Sequence, residues 1–287
     1  MNINDITYGP FGSPAGLIDL QEWLTLHQPG GIPIRWAFRG QSQSYGTLAP
    51  SFQRIFGQKR SVGAAETIER DLIKTFREHY AKLDGRTFDM PSLDSIGIGY
   101  DLRCLSVMQH YGVPTRLLDW TTDFWTAVYF ACAGDPSKEA ELWMYDRDIF
   151  DEQANSQDFA SLLLPSGPGY FVPSPEPNLL SRRDGNLIVE LDVQITPRMK
   201  EQFAHHTLSS DVFADHVPLL INLAAPREID ITRPPIRRVL IAPVCKEKAL
   251  RFLEQQRQVT AGTIFPDVEG LGKFLHWHLE SLVTTLF

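Results

Sequence analysis

The chain has 287 residues, of which 43% are hydrophobic and 22% charged, a globular composition long enough to bury a substantial core. A formal net charge of −8 argues against a general electrostatic grip on nucleic acid, which asks for a basic face. No run approaches the roughly 18 apolar residues of a membrane span. The first residues lack the basic and apolar regions of a secretory leader, and Cys104, Cys132 and Cys245 fall in no metal or redox spacing, so a cytoplasmic protein in a reducing compartment is expected.

In chain order, LIDLQEWLTL has the apolar spacing of a short helix, and GGIP breaks it. IRWAFRGQ reads as a buried strand running into a polar turn, and Pro50 and Ser51 open a short helical turn. Residues 64–83 form an amphipathic helix with Leu72, Phe76 and Tyr80 on its buried face. A helix from about Leu102 ends at His110, before Gly112-Val113-Pro114. TRLLDWT alternates as a strand, with Thr115, Leu117, Asp119 and Thr121 on one face and Arg116, Leu118 and Trp120 on the other. Thr121, Thr122 or Asp123 caps a following helix, FWTAVYFACA. AELWMYD, NLIVELDV, REIDIT and RRVLIAPV read as strands, separated by a proline-rich surface loop over residues 162–180. Helices over CKEKALRFLEQQ and GLGKFLHWHLESL close the chain. The expectation is one α+β domain over residues 1–287, helical in its N-terminal half and strand-rich in its C-terminal half.

Leu105 to Ala131 stands out. It carries His110, Tyr111, Thr115, Arg116, Asp119, Trp120 and Thr121 where a core strand between helices is normally apolar. Half-buried polar groups cost free energy unless paired, so such a cluster marks a place where something is bound. Arg39, at a strand end beside Gly40, is suited to clamp a phosphate or carboxylate, and the glycine would let a ligand approach the backbone. The competing reading pairs Arg39 with Asp119 for structure alone. His110 either favours a helix end or serves a ribose as an acid–base group. Tyr45, Tyr111 and Trp120 could stack on a planar ring or simply pack. A local basic patch is conceivable around Arg35, Arg39, Arg54, Lys59 and Arg60. His205-His206 with Asp211 and Asp215 reads as a solvent-facing helix rather than a metal site, and no metal is expected. Gly97-Ile98-Gly99 lacks the βαβ setting of a dinucleotide fingerprint, and neither a nucleophile elbow nor a P-loop string occurs.

WAFRGQS and QHYGVPTRLLDWT resemble the FRG domain family, whose Phe-Arg-Gly triplet is here Phe38-Arg39-Gly40. A third block is similar at Phe265-Pro-Asp-Val-Glu-Gly-Leu271, so the blocks cover residues 36–51, 105–131 and 265–271. The family in turn resembles the ADP-ribosyltransferase fold, which implies a split β-sheet core and NAD as substrate. It implies that Arg39 holds NAD and that Gly40, Gln41, Tyr45, Tyr111, Thr115, Arg116, Asp119, Trp120 and Thr121 shape the pocket. His110 would join Arg39 in catalysis, with a glutamate from a late strand: Glu228 first, with Glu190 and Glu269 in reserve. The implied function is an NAD-dependent ADP-ribosyltransferase toxin of a bacterial or phage-defence toxin–antitoxin system. Its partners would be a cognate antitoxin or chaperone and an RNA, DNA or protein acceptor, with no membrane. An NAD glycohydrolase using the same pocket, or a non-catalytic nucleotide- or partner-binding module, are the alternatives.

Overall fold

The computed structural model describes residues 3–26, 34–57, 61–80, 82–83, 98–150, 163–165, 171–173, 188–191, 197–224, 235–267, 270–276 and 279. Its centre is a mixed seven-stranded sheet in the order β1-β9-β4-β2-β3-β8-β7. These strands are β1 (Thr7–Phe11), β2 (Trp36–Gln41), β3 (Leu117–Thr121), β4 (Ala140–Asp146), β7 (Ile188–Leu191), β8 (Ala204–Ser209) and β9 (Ile236–Ile241). Only β1 and β9 run parallel; every other pairing in this sheet is antiparallel. Two short strands, β5 (Leu163–Pro165) and β6 (Phe171–Pro173), pair with each other within the expected proline-rich loop.

The register divides the sheet in two. β2 and β4 pair from Trp36↔Asp146 to Gln41↔Glu141, and β3 and β8 from Leu117↔Leu208 to Thr121↔Ala204. Between these groups β2 and β3 share one pair, Phe38↔Thr121. Beyond that pair the strands separate, which leaves polar main-chain groups at the edges of the split.

Strand alternation sends the two sets of side chains to different cores. Trp36, Phe38, Leu142, Met144, Val239 and Ile241 join one cluster, covered by α1 (Pro14–Leu26), α5 (Phe124–Cys132) and α8 (Pro243–Phe252). Ala37, Trp143, Tyr145, Leu118 and Trp120 join the other, covered by α7 (His216–Ala224) through Val217, Leu219 and Leu220. Burial of each large apolar side chain contributes about 1.5–3 kcal/mol, so the two faces carry most of the folding energy.

The remaining helices are α2 (Ser51–Phe56), α3 (Val62–Tyr80), α4 (Ile98–His110), α6 (Pro197–Glu201) and α9 (Ala261–Ile264), and residues 270–276 are helical. Asp123 caps α5 by accepting from Thr126 N at 2.6 Å. Cys104, Cys132 and Cys245 are buried and form no disulfide among the described residues, and no helix among these residues is long and apolar enough to cross a membrane.

Several expectations are corrected. β1 is a strand that the sequence pattern does not announce, and it joins β2 and β3, which lie where strands are expected in the N-terminal half. Ala204–Ser209 is a fully buried strand and not a solvent-facing helix; its paired histidines hide an apolar-type burial pattern. The most buried residues of α3 are Ala65, Glu69, Ile73 and the expected Tyr80, while Leu72 and Phe76 are half-buried, Leu72 against the cluster of Phe52 and Phe213, and Glu69 faces inward to Arg116. β3 starts at Leu117, since Thr115 is turned aside to bond Ser51 and Gln109. The REIDIT segment lies outside the described residues.

Gly40 also has another role than close approach of a ligand. A Cβ there would stand 2.0 Å from Ala127 O and 2.5 Å from Ala131 N, so the space in front of Gly40 is filled by α5 itself. Gly40→Ala must push α5 off the sheet, and a loss of about 3 kcal/mol is expected. Chemical denaturation checks this, and an unchanged midpoint would contradict the packing described.

Candidate functional site

A cleft of about 220 Å³ opens at the split in the sheet. Phe38, Arg39 and Gly40 of β2 and Asp119, Trp120 and Thr121 of β3 border it, together with Phe130, Arg198, Gln202 and Ala204. The two strands bring together the most polar points of the two sequence blocks that surround them.

Arg39 spans the split. Its Nη1 donates to the main-chain carbonyl of Asp119 at 2.6 Å, while its Nε is buried without a hydrogen-bond partner among the described residues. Burial works against the guanidinium charge, Asp119 and Glu141 favour it, and Arg54 opposes it. The structural pairing anticipated between Arg39 and Asp119 therefore exists, but through the backbone carbonyl, and the Asp119 carboxylate is directed elsewhere.

That carboxylate is held by α4 and β8. Gln109 Nε2 donates to Asp119 Oδ1 at 2.8 Å, and His206 Nδ1 lies 3.0 Å from the same oxygen. His206 Nε2 is in turn 2.9 Å from Ser106 Oγ. Although burial opposes ionisation, the hydrogen bond and charge of His206, then Arg39 and Gln109, hold Asp119 at about 2. It is a carboxylate at neutral pH, and 55% of its side-chain surface is open to solvent. Thr121 accepts from Asp123 N at 3.0 Å and so ties the cleft edge to the cap of α5.

His110 ends α4, half-buried, and is not among the residues that border the cleft. Burial and Arg198 keep its imidazole below the usual range, against the pull of Asp267 and Asp119, so it is neutral at pH 7. The other expected residues serve the scaffold. Arg116 is 1% exposed; its Nε donates to Glu69 at 2.8 Å and its Nη1 to the carbonyl of Ser210 at 3.2 Å. Thr115 bonds Gln109, which orients the amide that reaches Asp119. Gln41 donates to Glu141 at 2.7 Å and to Thr47 O at 2.9 Å, closing the loop after β2. Tyr45 and Tyr111 are exposed and do not border the cleft, and Tyr111 packs against Tyr80 and His110. Trp120 borders the cleft by its place in β3, but its indole is buried on the opposite face against Tyr145.

Of the glutamates, Glu228 and Glu269 lie outside the described residues. Glu190 does not border the cleft: it accepts from Tyr145 Oη at 2.7 Å and Arg147 Nε at 2.8 Å, beside His205 Nε2 at 3.0 Å. Burial opposes its charge, but His205 and Arg147 hold it at about 2. Register puts His205 and His206 on opposite faces of β8, so they cannot share a ligand. Asp215 caps α7 instead, accepting from Val217 N at 2.9 Å, and no cluster among the described residues could hold a metal. Arg35 pairs with Asp148 at 2.7 Å and Arg54 donates to Ala49 O at 2.9 Å, while Lys59 and Arg60 lie outside the described residues.

Sequence reasoning missed Phe130, Arg198, Gln202 and His206. Phe130 sits inside the quoted helix, but Arg198 and Gln202 follow no motif and reach the cleft only through the tertiary fold. A second hollow of about 330 Å³ lies behind α5, lined in part by Tyr129, Leu250, Thr260 and Lys273.

Residues 34–140 match the sequence profile of the family described as FRG domain. The chain carries an FRG domain. The matched stretch holds β2, β3 and α5, and so Arg39 and Asp119 of the cleft. No curated protein and no solved structure matches the chain.

Beneath the cleft, Trp120 Nε1 donates to Thr207 Oγ1 at 2.9 Å, and Thr207 Oγ1 lies 2.9 Å from His216 Nδ1. Burial, with Arg39 nearby, pushes His216 down to about 3 from an ordinary 6.5. The unfolded chain therefore binds a proton that the folded chain refuses, so this contribution is full above about pH 6.5 and is lost as pH falls towards 3. His205, also lowered by burial, acts in the same direction. In urea titrations from pH 7 to 4.5, His216→Asn should lose less stability than wild type, since its amide cannot take up a proton. An equal slope in both proteins would refute the assignment.

Proposed function

We propose that the cleft binds NAD and transfers its ADP-ribose to an acceptor. One observation carries this reading: the Arg39 guanidinium crosses the split in the sheet into a cleft that also holds Arg198, an ionised Asp119 and the Phe130 ring. Two guanidiniums suit a pyrophosphate, an aromatic ring suits a planar base, and a fixed carboxylate suits a developing cation. The cleft is smaller than the ~300–1,000 Å³ usual for a whole drug-sized ligand, so it takes one end of a dinucleotide and leaves the rest along its mouth. The division of the sheet at Phe38↔Thr121 supports the implied split-sheet core of the ADP-ribosyltransferases.

In this reading Arg39 and Arg198 neutralise the pyrophosphate. The bond between ribose C1′ and the nicotinamide nitrogen breaks with its electron pair going to nicotinamide. Asp119 stabilises the oxocarbenium-like transition state electrostatically; held at about 2, it is too weak a base to take a proton at pH 7. A nucleophile on the acceptor attacks C1′, and neutral His110, at the end of α4, accepts its proton. A glutamate such as Glu228 would add a second carboxylate to the ribose. The acidic chain favours a protein acceptor over a nucleic acid. A toxin role with a cognate antitoxin or chaperone belongs to the same proposal.

Incubation with labelled NAD tests it. Wild type should release nicotinamide, and Arg39→Ala and Asp119→Asn should each slow release at least about a hundredfold, the scale of losing one preorganised electrostatic partner. Arg39→Lys, which keeps charge but loses the fork, separates recognition from the structural bridge. Label on a macromolecule indicates transfer, and free ADP-ribose indicates hydrolysis. Binding without turnover, or normal release by a folded Arg39→Ala protein, would overturn the enzymatic reading.

A further inference from the structure

We infer that the segment over residues 264–267, tied to Gly270, is the positioning device for one wall of the cleft: Ile264 and Phe265 hold Gln202 and Arg198, the two polar side chains that α6 and its following residue bring to the ligand. The cleft's nucleotide reading supplies only the identity of that ligand.

The turn is determined locally. Thr260 and Thr263 form a reciprocal cap, with Thr263 Oγ1 accepting from Thr260 N at 2.9 Å and Thr260 Oγ1 accepting from Thr263 N at 3.3 Å, and this starts α9. Pro266 follows the end of α9 and cannot continue a helix. Asp267 N then donates to Phe265 O at 2.8 Å, and Gly270 N donates to Asp267 Oδ1 at 2.7 Å. Residue 270 must be glycine, because a Cβ there would stand 2.0 Å from Phe265 O. Within the third sequence block, the described residues Phe265, Asp267 and Gly270 thus bond and pack so as to place the Phe265 ring.

Three neighbours use that ring. The Arg198 guanidinium lies 4.3 Å from its centroid, the Lys273 ammonium 4.9 Å, and Phe130 meets it edge-on at 6.0 Å. Next to it, Gln202 Nε2 donates to Ile264 O at 3.2 Å. Arg198, Gln202 and Phe130 all border the cleft. A five-residue helix such as α6 has no stability of its own, so the direction of Arg198 must be set from outside it. A flat ring under a planar guanidinium does this by stacking on its face rather than on its N–H edge.

Phe265→Leu removes the ring and keeps the bulk; Phe265→Tyr keeps the ring. Two readouts are independent. In NMR titrations of His110, which Arg198 holds down, Phe265→Leu should shift the imidazole midpoint upward and Phe265→Tyr should leave it in place. In NAD-binding titrations, Phe265→Leu and Arg198→Ala should each weaken affinity about fivefold, with the double variant no weaker than Arg198→Ala alone. Thermal unfolding confirms that each variant is folded, and if Phe265→Leu is not, the Phe265→Tyr and Arg198→Ala comparisons with wild type decide. Additive losses, or a His110 midpoint indifferent to both Phe265→Leu and Arg198→Ala, would overturn the positioning role. If wild type binds no NAD, the nucleotide reading fails, and the His110 titration still decides this one.

Discussion

The structure depends on one contact across a nearly broken sheet. β2 and β3 share a single residue pair, and just beside it Arg39 reaches from one half to the carbonyl of Asp119 in the other. A continuous ladder would have placed Asp119 and Arg39 on ordinary pleated neighbours with no room between. The split opens the cleft, and the arginine that would bind a ligand also ties the halves together. Binding and architecture therefore meet in one side chain, which is why Arg39→Lys is more informative than Arg39→Ala alone.

Around that contact the protein separates charge from scaffold. On one face Asp119 is kept ionised by His206 and Gln109 at the open edge of the cleft. On the other, Glu190, Arg147, His205 and Tyr145 form a closed set that links β4 to β7 and β8 behind the split. Such a buried set is a weak contributor to net stability, but removing one member is costly because its partners remain buried. Its place behind the split suits it to fix the angle between the two halves.

The sequence shows the strand AELWMYD residue for residue, a cap among Thr121, Thr122 and Asp123 that the structure assigns to Asp123, and the location of Arg39, because those depend on local pattern and turn chemistry. It misleads where burial overrides polarity. His205 and His206 sit in a core strand, each facing a different polar network, and no period-two hydrophobic pattern announces it. Arg116 and Thr115 look like ligand groups by type, yet they hold α3 and α4 to β3. Gly40 borders the cleft, but the side where its Cβ would stand is occupied by α5, so packing alone already requires glycine there. Arg198 and Gln202 were invisible because their approach to the cleft is set by a turn more than sixty residues further along the chain.

A crystal structure of the protein soaked with NAD decides whether the cleft is the nucleotide site. The pyrophosphate is expected within hydrogen-bonding distance of Arg39 and Arg198, with the nicotinamide ribose facing Asp119 at the split. A nucleotide lodged instead in the hollow behind α5, or a cleft that stays empty at saturating NAD, would contradict it.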